Sequence, residues 1–190
     1  MEKRAHNKIS RSGTRSAKII AAAAKIRLLI LDVDGVLTDG SIILDNNGTE
    51  IKSFHVRDGH GIKMLRKIGM RVAIITGRYS EVVTRRSIEL GIEDVFQRCH
   101  VKTEAYEKLL DKYRLSDYET AYIGDDVVDI SLLKRVGLPV VVADAHDEAK
   151  KYALMITEKP GGRGAVREIT DLLIKAYGKW DEIIDEYDKA

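Results

Sequence analysis

The stretch RLLILDVDGVLTDG, residues 27–40, joins an unbroken apolar run to a loop of acidic residues and glycines. An apolar run without alternation is typical of a strand that is buried on both faces of a sheet. Asp32 and Asp34 follow it directly, so one carboxylate and one main-chain carbonyl can reach the same cation. A turn with solvated acidic side chains would give the same local pattern. This segment therefore predicts a central buried strand that ends in an acidic loop.

Strand and helix patterns alternate along the rest of the chain. Two β-prone segments flank an Asn-Gly turn and predict a projecting hairpin over 41–56. Further strands are predicted over 71–75, 94–96, 120–123, 139–143 and 154–156, and helices over 59–68, 80–90, 103–113, 128–136 and 147–152 and from about 164. Single helices between strands predict an α/β fold with a doubly wound, mainly parallel, Rossmann-like sheet.

Composition narrows the class of protein. The 190 residues, 44% hydrophobic and 33% charged, are typical of one globular domain, and a net charge of +2 argues against a nucleic-acid partner. The single Cys99 excludes an intrachain disulfide framework and favours a reducing, cytoplasmic setting. No apolar run approaches the ~20 residues of a membrane span. We expect a soluble protein with neither a nucleic-acid nor a membrane partner.

Three parts are predicted along the chain. Residues 1–25 form a basic leader and a helix, residues 26–175 the main domain, and residues 176–190 an amphipathic tail. A solvated leader that contributes little is favoured over one that binds nucleic acid or membrane. The glycine-rich segment 159–164 fits either a mobile lid carrying Arg163 or a simple turn.

Polar residues follow the predicted strands where parallel sheets bind their ligands, at the carboxyl ends. Thr76, Gly77 and Arg78 suit a phosphate or a carboxylate, although Thr76 could equally cap a helix. Residues 124–129, GDDVVD, crowd three acids that repel one another unless a cation is bound. Lys102 alone would be a surface lysine. Together these strand ends place acids, a hydroxyl and a lysine at one crevice.

These acids, the hydroxyl and the lysine match what phosphoryl transfer through a carboxylate nucleophile needs. Asp32 would attack phosphorus, and Asp34 would protonate the departing alkoxide and later activate water. Thr76 and Lys102 would hold the transferring group. Asp125 would complete an all-oxygen site for Mg²⁺ with Asp32 and with Asp34, the latter through its main chain.

The four motifs DVDGVLTDG, TGR, Lys102 and GDDVVD resemble, in this order, those of the haloacid dehalogenase superfamily of phosphatases. Within it the chain resembles the 3-deoxy-D-manno-octulosonate 8-phosphate phosphatases from about Ile26 onward, through FHVRDGHGI, AYIGDDVVDI, RVGLPVVVADAH and GGRGAVREITDLLI. Arg98 departs from the resemblance, because related sequences often have glycine there. The leader before about Ala17 has no counterpart in the family.

The resemblance implies a hydrolase of a phosphorylated sugar acid that acts in lipopolysaccharide biosynthesis, with Asp32 as nucleophile and Asp34 as acid and base. It implies Mg²⁺ held by Asp32, Asp34 and Asp125. The implied substrate contacts are Asp34, His55, Val56, Arg57, Asp58, Gly59, Lys63, Thr76, Gly77, Arg78, Arg86 and Lys102. Cations among them suit a substrate with a phosphate and a carboxylate, although Lys63 and Arg86 fit a solvated helix surface equally well.

The gaps between the motifs are too short for a cap domain, which leaves the site open. An open site either accepts a macromolecule or is covered by another subunit, because phosphoryl transfer benefits from excluding bulk water. The resemblance implies the second arrangement, a homotetramer assembled through the hairpins, whose Ile42, Leu44, Ile51 and Phe54 are apolar. Packing of these side chains on their own domain is the alternative.

Other functions stay open at this stage. A phosphatase for a nine-carbon sugar-acid 9-phosphate would use the same cations, and a capless phosphatase of proteins or polynucleotide ends would act as a monomer. A non-catalytic scaffold module is the alternative outside enzymes. Asp34 argues against the scaffold, because a protein that only holds an aspartyl phosphate has no use for an acid beside the leaving group.

Overall fold

The computed structural model describes residues 15–189, so the first part of the predicted basic leader, residues 1–14, lies outside the described chain. Residues 15–23 form helix α1, whose Ala23 is fully buried in the core. The Arg15 guanidinium donates to the main-chain carbonyl of Leu154 at 2.9 Å. The described end of the leader thus contacts the domain through Arg15 and Ala23, while most of its other side chains are exposed.

One six-stranded parallel sheet forms the centre of the molecule. Its strands are β1 (Leu28–Leu31), β4 (Arg71–Ile75), β5 (Asp94–Phe96), β6 (Thr120–Gly124), β7 (Leu138–Val141) and β8 (Met155–Ile156), in the order β5-β4-β1-β6-β7-β8. All four side chains of β1 are buried, as its unbroken apolar run predicts. The chain order reverses on either side of β1, and the carboxyl ends of β4, β1 and β6 meet at this switch point.

The longer helices form two groups around the sheet. They are α2 (Val56–Lys67), α3 (Glu81–Leu90), α4 (Lys102–Tyr113), α7 (Ala165–Ala176) and α8 (Trp180–Asp188), with two short helices, α5 (Ile130–Leu133) and α6 (Asp147–Lys150). Helix α2 contacts α3 and α7, while α4 contacts α5. The predicted α/β fold with a doubly wound parallel sheet is confirmed.

Two elements differ from their predictions. The hairpin is present, but its strands β2 (Ile43–Leu44) and β3 (Glu50–Ile51) are only two residues long, and Lys52 directly after β3 pairs with Asp34. The helix predicted over 128–136 is a 3₁₀ turn followed by α5, and it stops early because the chain turns to place the Gly137 N–H 2.7 Å from the Asp117 carbonyl. The other boundaries lie within a few residues of their predicted positions.

The amphipathic tail is helix α8, which packs through Ile183 and Trp180 onto the core. Glu186 forms an ion pair with Lys67 of α2. Within residues 15–189, none of the helices has the length and apolar character required to cross a membrane.

Candidate active site

A cavity of about 350 Å³ lies at the switch point of the sheet. Seven of the predicted residues line it: Asp32, Asp34, Thr76, Gly77, Arg78, Lys102 and Asp125. Five others, which carried no prediction, complete the lining: Gly40, Cys99, His100, Asp126 and Val128. The strand ends that sequence reasoning grouped together therefore converge on one cavity.

Asp32 follows β1 and is 5% exposed. Its Oδ1 accepts the N–H of Val33 at 2.7 Å, and its Oδ2 accepts Lys102 Nζ at 2.8 Å. Burial raises the pKa of Asp32 to about 6, opposed by the positive charge of Lys102. The carboxylate is thus oriented by a main-chain donor on one oxygen and by a cation on the other.

Asp129 contacts both Lys102 and the loop that carries Asp125, although sequence reasoning noticed it only as one acid of a cluster. Its fully buried Oδ1 lies 2.6 Å from Lys102 Nζ and accepts the Tyr122 hydroxyl at 2.5 Å. Its Oδ2 accepts the N–H groups of Asp125 and Asp126 at 2.8 and 3.1 Å. Asp129 therefore holds both the lysine and the loop that carries Asp125. Its position as third acid of GDDVVD was the available signal.

Three carboxylates form a set that can hold a cation. Oxygens of Asp32, Asp125 and Asp129 lie within 4.8 Å of one another. Burial, followed by the charges of Asp129 and Asp32, raises the pKa of Asp125 to about 8. A hard divalent cation relieves this repulsion, and all-oxygen ligands suit Mg²⁺. The carboxylate of Asp34 lies apart from the set, in keeping with its predicted main-chain contact.

Glycine is required where the two acidic loops meet. Gly35 has φ +83°, and a Cβ there would lie 2.0 Å from Asp125 Oδ2. A Cβ on Gly161, from the glycine-rich segment, would lie 1.8 Å from the Gly35 carbonyl oxygen. The Gly162 N–H donates to the Val36 carbonyl at 2.9 Å. In this structure the segment 159–164 is a turn packed against residues 35–39, as the alternative of a simple turn predicts.

Thr76 is buried after β4 and is fixed through its main chain. Its N–H donates to the Phe96 carbonyl at 2.9 Å, and its carbonyl accepts the Cys99 N–H at 3.0 Å. Helix α3 begins five residues later with Ser80 at its N-cap. The alternative that Thr76 caps this helix is wrong, and its hydroxyl is left for the cavity.

The loop before Lys102 contains Arg98, where the sequence departs from the glycine that related sequences often have. Arg98 has φ +59°, in the left-handed region that favours glycine. Its guanidinium lies 4.6 Å from the centre of the Tyr79 ring, which gives the arginine a favourable contact at this strained position.

The remaining predicted substrate residues do not line the cavity: His55, Val56, Arg57, Asp58, Gly59, Lys63 and Arg86. Asp58 is fully buried, and its carboxylate accepts the N–H groups of Arg167 at 2.7 Å and Gly164 at 3.2 Å, at the start of α7. The structure therefore gives Asp58 a contact inside its own domain. Gly59 lies against the Arg86 side chain, since a Cβ at this position would lie 2.2 Å from Arg86 Nη2.

Val56 and Arg86 line a separate surface cavity of about 400 Å³, together with Phe54, Val82, Arg85 and Glu89. Val56 is 76% exposed, and the Arg86 guanidinium lies 5.7 Å from the centre of the Phe54 ring. Part of the predicted substrate set is thus presented to solvent, away from the cavity of its own chain.

The chain is similar in sequence and in structure to known hydrolases. Residues 81–169 match the family of haloacid dehalogenase-like hydrolases. The 3-deoxy-D-manno-octulosonate 8-phosphate phosphatase KdsC of Escherichia coli (strain K12) is 49% identical over 170 residues, 90% of each chain. A hydrolase of the same superfamily from Legionella pneumophila, described as putative, superimposes with a TM-score of 0.91 at 43% identity, covering 95% of this chain and 99% of that one.

Another similar structure was determined with bound ligands. The 3-deoxy-D-manno-octulosonate 8-phosphate phosphatase of Moraxella catarrhalis was crystallised with a magnesium ion, a phosphate ion and a KDO molecule. It has a TM-score of 0.87 and 40% identity to this chain, and the match covers 89% of this chain and 97% of that one.

Proposed function

We infer that this chain, which belongs to the haloacid dehalogenase-like hydrolases and within them to the 3-deoxy-D-manno-octulosonate 8-phosphate phosphatases, is a Mg²⁺-dependent phosphomonoesterase that releases 3-deoxy-D-manno-octulosonate and phosphate. The observation that carries the reaction is the placement of Asp32 between Lys102 and the Asp125 loop at one cavity. The sugar acid rests on the relatives of Escherichia coli and Moraxella catarrhalis. We place the reaction on the way to lipopolysaccharide.

The proposed roles follow from the positions of the side chains. An Asp32 oxygen forms a bond to phosphorus, the bond from phosphorus to the sugar oxygen breaks, and Asp34 gives that oxygen a proton. Water then attacks phosphorus, loses a proton to Asp34 and releases Asp32. Thr76 and Lys102 hold the phosphoryl oxygens.

Mg²⁺ fits the donor set because Asp32, Asp125 and Asp129 are crowded, buried carboxylates. Asp32 and Asp125 are the proposed ligands, with the Asp34 main-chain carbonyl as a third, while Asp129 is also engaged by Lys102 and two N–H groups. When bound, the ion neutralises charge on the transferring phosphoryl group.

We propose that Arg78 and Gly77 receive the polar end of the substrate inside the cavity, while residues 55–59, Lys63 and Arg86 serve the site of another subunit. Support comes from the hairpin, where Ile42, Leu44 and Ile51 are 52–60% exposed. An apolar, projecting element of this kind is typical of an assembly surface. In a homotetramer built through the hairpins, residues 55–59, Lys63 and Arg86 of one subunit would cover the open cavity of another.

The predicted division of the chain, with the phosphatase domain over 26–175 flanked by the basic leader and helix of 1–25 and the tail of 176–190, stays part of this proposal. The single cysteine, which is unpaired in the described chain, supports a cytoplasmic location.

Phosphate release with Mg²⁺ tests the function across a panel of phosphorylated compounds. The panel consists of octulosonate 8-phosphate, a nine-carbon sugar-acid 9-phosphate, a phosphopeptide and a phosphorylated oligonucleotide end. We expect a strong preference for the octulosonate, measured as kcat/KM. Preference for the nine-carbon sugar acid would show that the assigned substrate is wrong. Activity on the phosphopeptide or the oligonucleotide would show that the open cavity accepts macromolecules. No phosphate release from any member would support the scaffold hypothesis.

A further inference from the structure

Lys52 is a buried cation that neither the sequence patterns nor the family motifs singled out. It follows β3 on the returning arm of the hairpin, and its side chain is only 1% exposed. Removing an ammonium from water costs several kcal/mol unless carboxylates compensate it. Lys52 Nζ forms an ion pair with Asp34 Oδ1 and lies 3.4 Å from Glu50 Oε1. Lys52 therefore pairs with Asp34, which the proposed reaction uses first as an acid and then as a base.

The alternation of the hairpin strand produces this arrangement. Glu50 and Lys52 are two residues apart and lie on the same face, while Ile51 between them is 52% exposed on the other. Glu50 also accepts a hydrogen bond from Arg78 Nη2 at 2.8 Å. The charged face of the hairpin therefore contacts Arg78, which lines the cavity. The hairpin thus contacts the catalytic loop through charges and presents its apolar side chains outward.

The two oxygens of Asp34 have different surroundings. Oδ1 is taken by Lys52, whereas Oδ2 is buried and has no hydrogen-bond partner among the described residues. Arg78 Nε lies 3.7 Å from Oδ2, beyond hydrogen-bond distance. A buried, unpartnered oxygen beside the nucleophile is the atom that remains to exchange a proton with the substrate or with water.

We propose that Lys52 is a positioning residue that fixes Asp34 Oδ1 so that Oδ2 faces the leaving-group oxygen. Lys52 contacts neither the phosphoryl group nor the nucleophile, and it acts through the orientation of Asp34. The proposal rests on the proposed phosphatase activity. It predicts that loss of Lys52 harms proton transfer to the leaving group more than it harms attack by Asp32.

The test compares two leaving groups in the first turnover, by rapid quench with Mg²⁺. An alkyl phosphate such as octulosonate 8-phosphate requires a proton on its departing oxygen, whereas p-nitrophenyl phosphate releases a stabilised phenolate without one. For Lys52→Met we expect the first-turnover rate on the alkyl phosphate to fall by about 10² and that on p-nitrophenyl phosphate by less than about threefold. KM should stay unchanged for both. Lys52→Arg, which keeps a cation beside Asp34, should recover most of the lost rate.

Lys112→Met is the matched control, because Lys112 also pairs with an aspartate, Asp94 Oδ1 at 2.6 Å, at the opposite edge of the sheet. Its rates on both substrates should equal those of the unmodified protein. If Lys52→Met does not fold by circular dichroism, Lys52→Gln fills similar space, and the same selective loss is expected from it.

An equal loss on both substrates, or no loss on either, would overturn the role of Lys52 while leaving the phosphatase activity standing. Inactivity of the unmodified protein on every phosphomonoester would instead overturn the proposed function, and the role of Lys52 with it.

Discussion

At the scale of single residues, the site is built on carboxylates that the fold forces together. Asp125 and Asp32 share the cavity with Asp129, whose two oxygens already accept four donors. Raised pKa values at Asp125, to about 8, and at Asp32, to about 6, follow from burial and from this crowding. The metal-free site is therefore a local source of instability that a cation removes.

This crowding predicts how the metal-free protein responds to pH. Between pH 4 and pH 8 the folded protein holds a proton on Asp125 that the unfolded chain has lost, so stability falls as pH rises through that window. We expect the free energy of unfolding in EDTA to fall by about 2 kcal/mol from pH 5 to pH 8, less than the full shift because Asp125 is only partly buried. Urea unfolding at each pH measures it.

Asp125→Asn separates this contribution from other titrating groups. The variant should be more stable than the unmodified protein in EDTA at pH 8, have a shallower dependence on pH, and show a much smaller rise in Tm with Mg²⁺. A pH dependence equal to that of the unmodified protein would contradict the role assigned to Asp125.

At the scale of elements, loops remote in sequence are packed against the end of β1. The turn containing Gly161 and Gly162 lies directly against residues 35–39, and the Gly161 N–H donates to Asp144 Oδ1 at 3.0 Å. The hairpin contacts the same loop through the ion pair of Lys52 with Asp34. The catalytic loop is thus held by two elements that themselves carry none of the proposed reacting groups.

Substitution of Gly161 tests whether this contact maintains the active geometry. Gly161→Ala places a Cβ 1.8 Å from the Gly35 carbonyl oxygen, so the loop must shift. We expect kcat to fall at least about tenfold and the free energy of unfolding to fall by about 1–3 kcal/mol. Phosphate release and urea unfolding provide the two measurements.

Gly178→Ala is the control for the loss of a glycine as such. Gly178 has φ +65° and open space around it, so the substitution strains only the backbone. Its cost should be about 1 kcal/mol with kcat unchanged. Equal kcat values for Gly161→Ala and the unmodified protein would show that the contact does not support the site.

At the scale of the whole molecule, one chain holds an incomplete version of the predicted substrate site. Asp32 and Lys102 lie in the cavity, whereas Val56 and Arg86 line another surface next to the exposed hairpin. An assembly in which one subunit covers the cavity of the next would bring the two surfaces together. The proposed homotetramer therefore has a catalytic consequence as well as a stabilising one.

Subunit mixing tests that consequence. Asp32→Asn lacks the nucleophile and Arg86→Ala lacks the second-surface cation, so each alone should be nearly inactive on octulosonate 8-phosphate. Coexpressed in equal amounts, they should recover about one quarter of full activity, because a quarter of the sites then combine an intact Asp32 with an intact neighbouring Arg86. Light scattering should give four chain masses for every variant.

A second pair of variants provides the control. Asp32→Asn mixed with Asp125→Asn should recover nothing, since both residues line the cavity of the same chain. If the Arg86 mixture also stays at the activity of Arg86→Ala alone, Arg86 serves its own chain and the shared site is wrong.

Sequence patterns alone were sufficient to predict the α/β fold and the convergence of Asp32, Thr76, Lys102 and Asp125 on one cavity. Those features depend on local patterns, because an apolar run makes a buried strand and parallel strands bring their carboxyl ends to one edge. The sequence also marked the departure at Arg98, a position whose left-handed backbone conformation favours the glycine of related sequences.

Which charged side chains are buried, and which groups they face, depends on contacts between distant parts of the chain. Lys52 lies beside the exposed Ile51 and looks like a surface lysine until the hairpin folds back onto Asp34. The Asp58 carboxylate is buried against the first turn of α7, more than 100 residues away, which supplies its N–H donors. Burial and pairing arise from contacts between distant segments, and these contacts leave no periodic pattern in the chain.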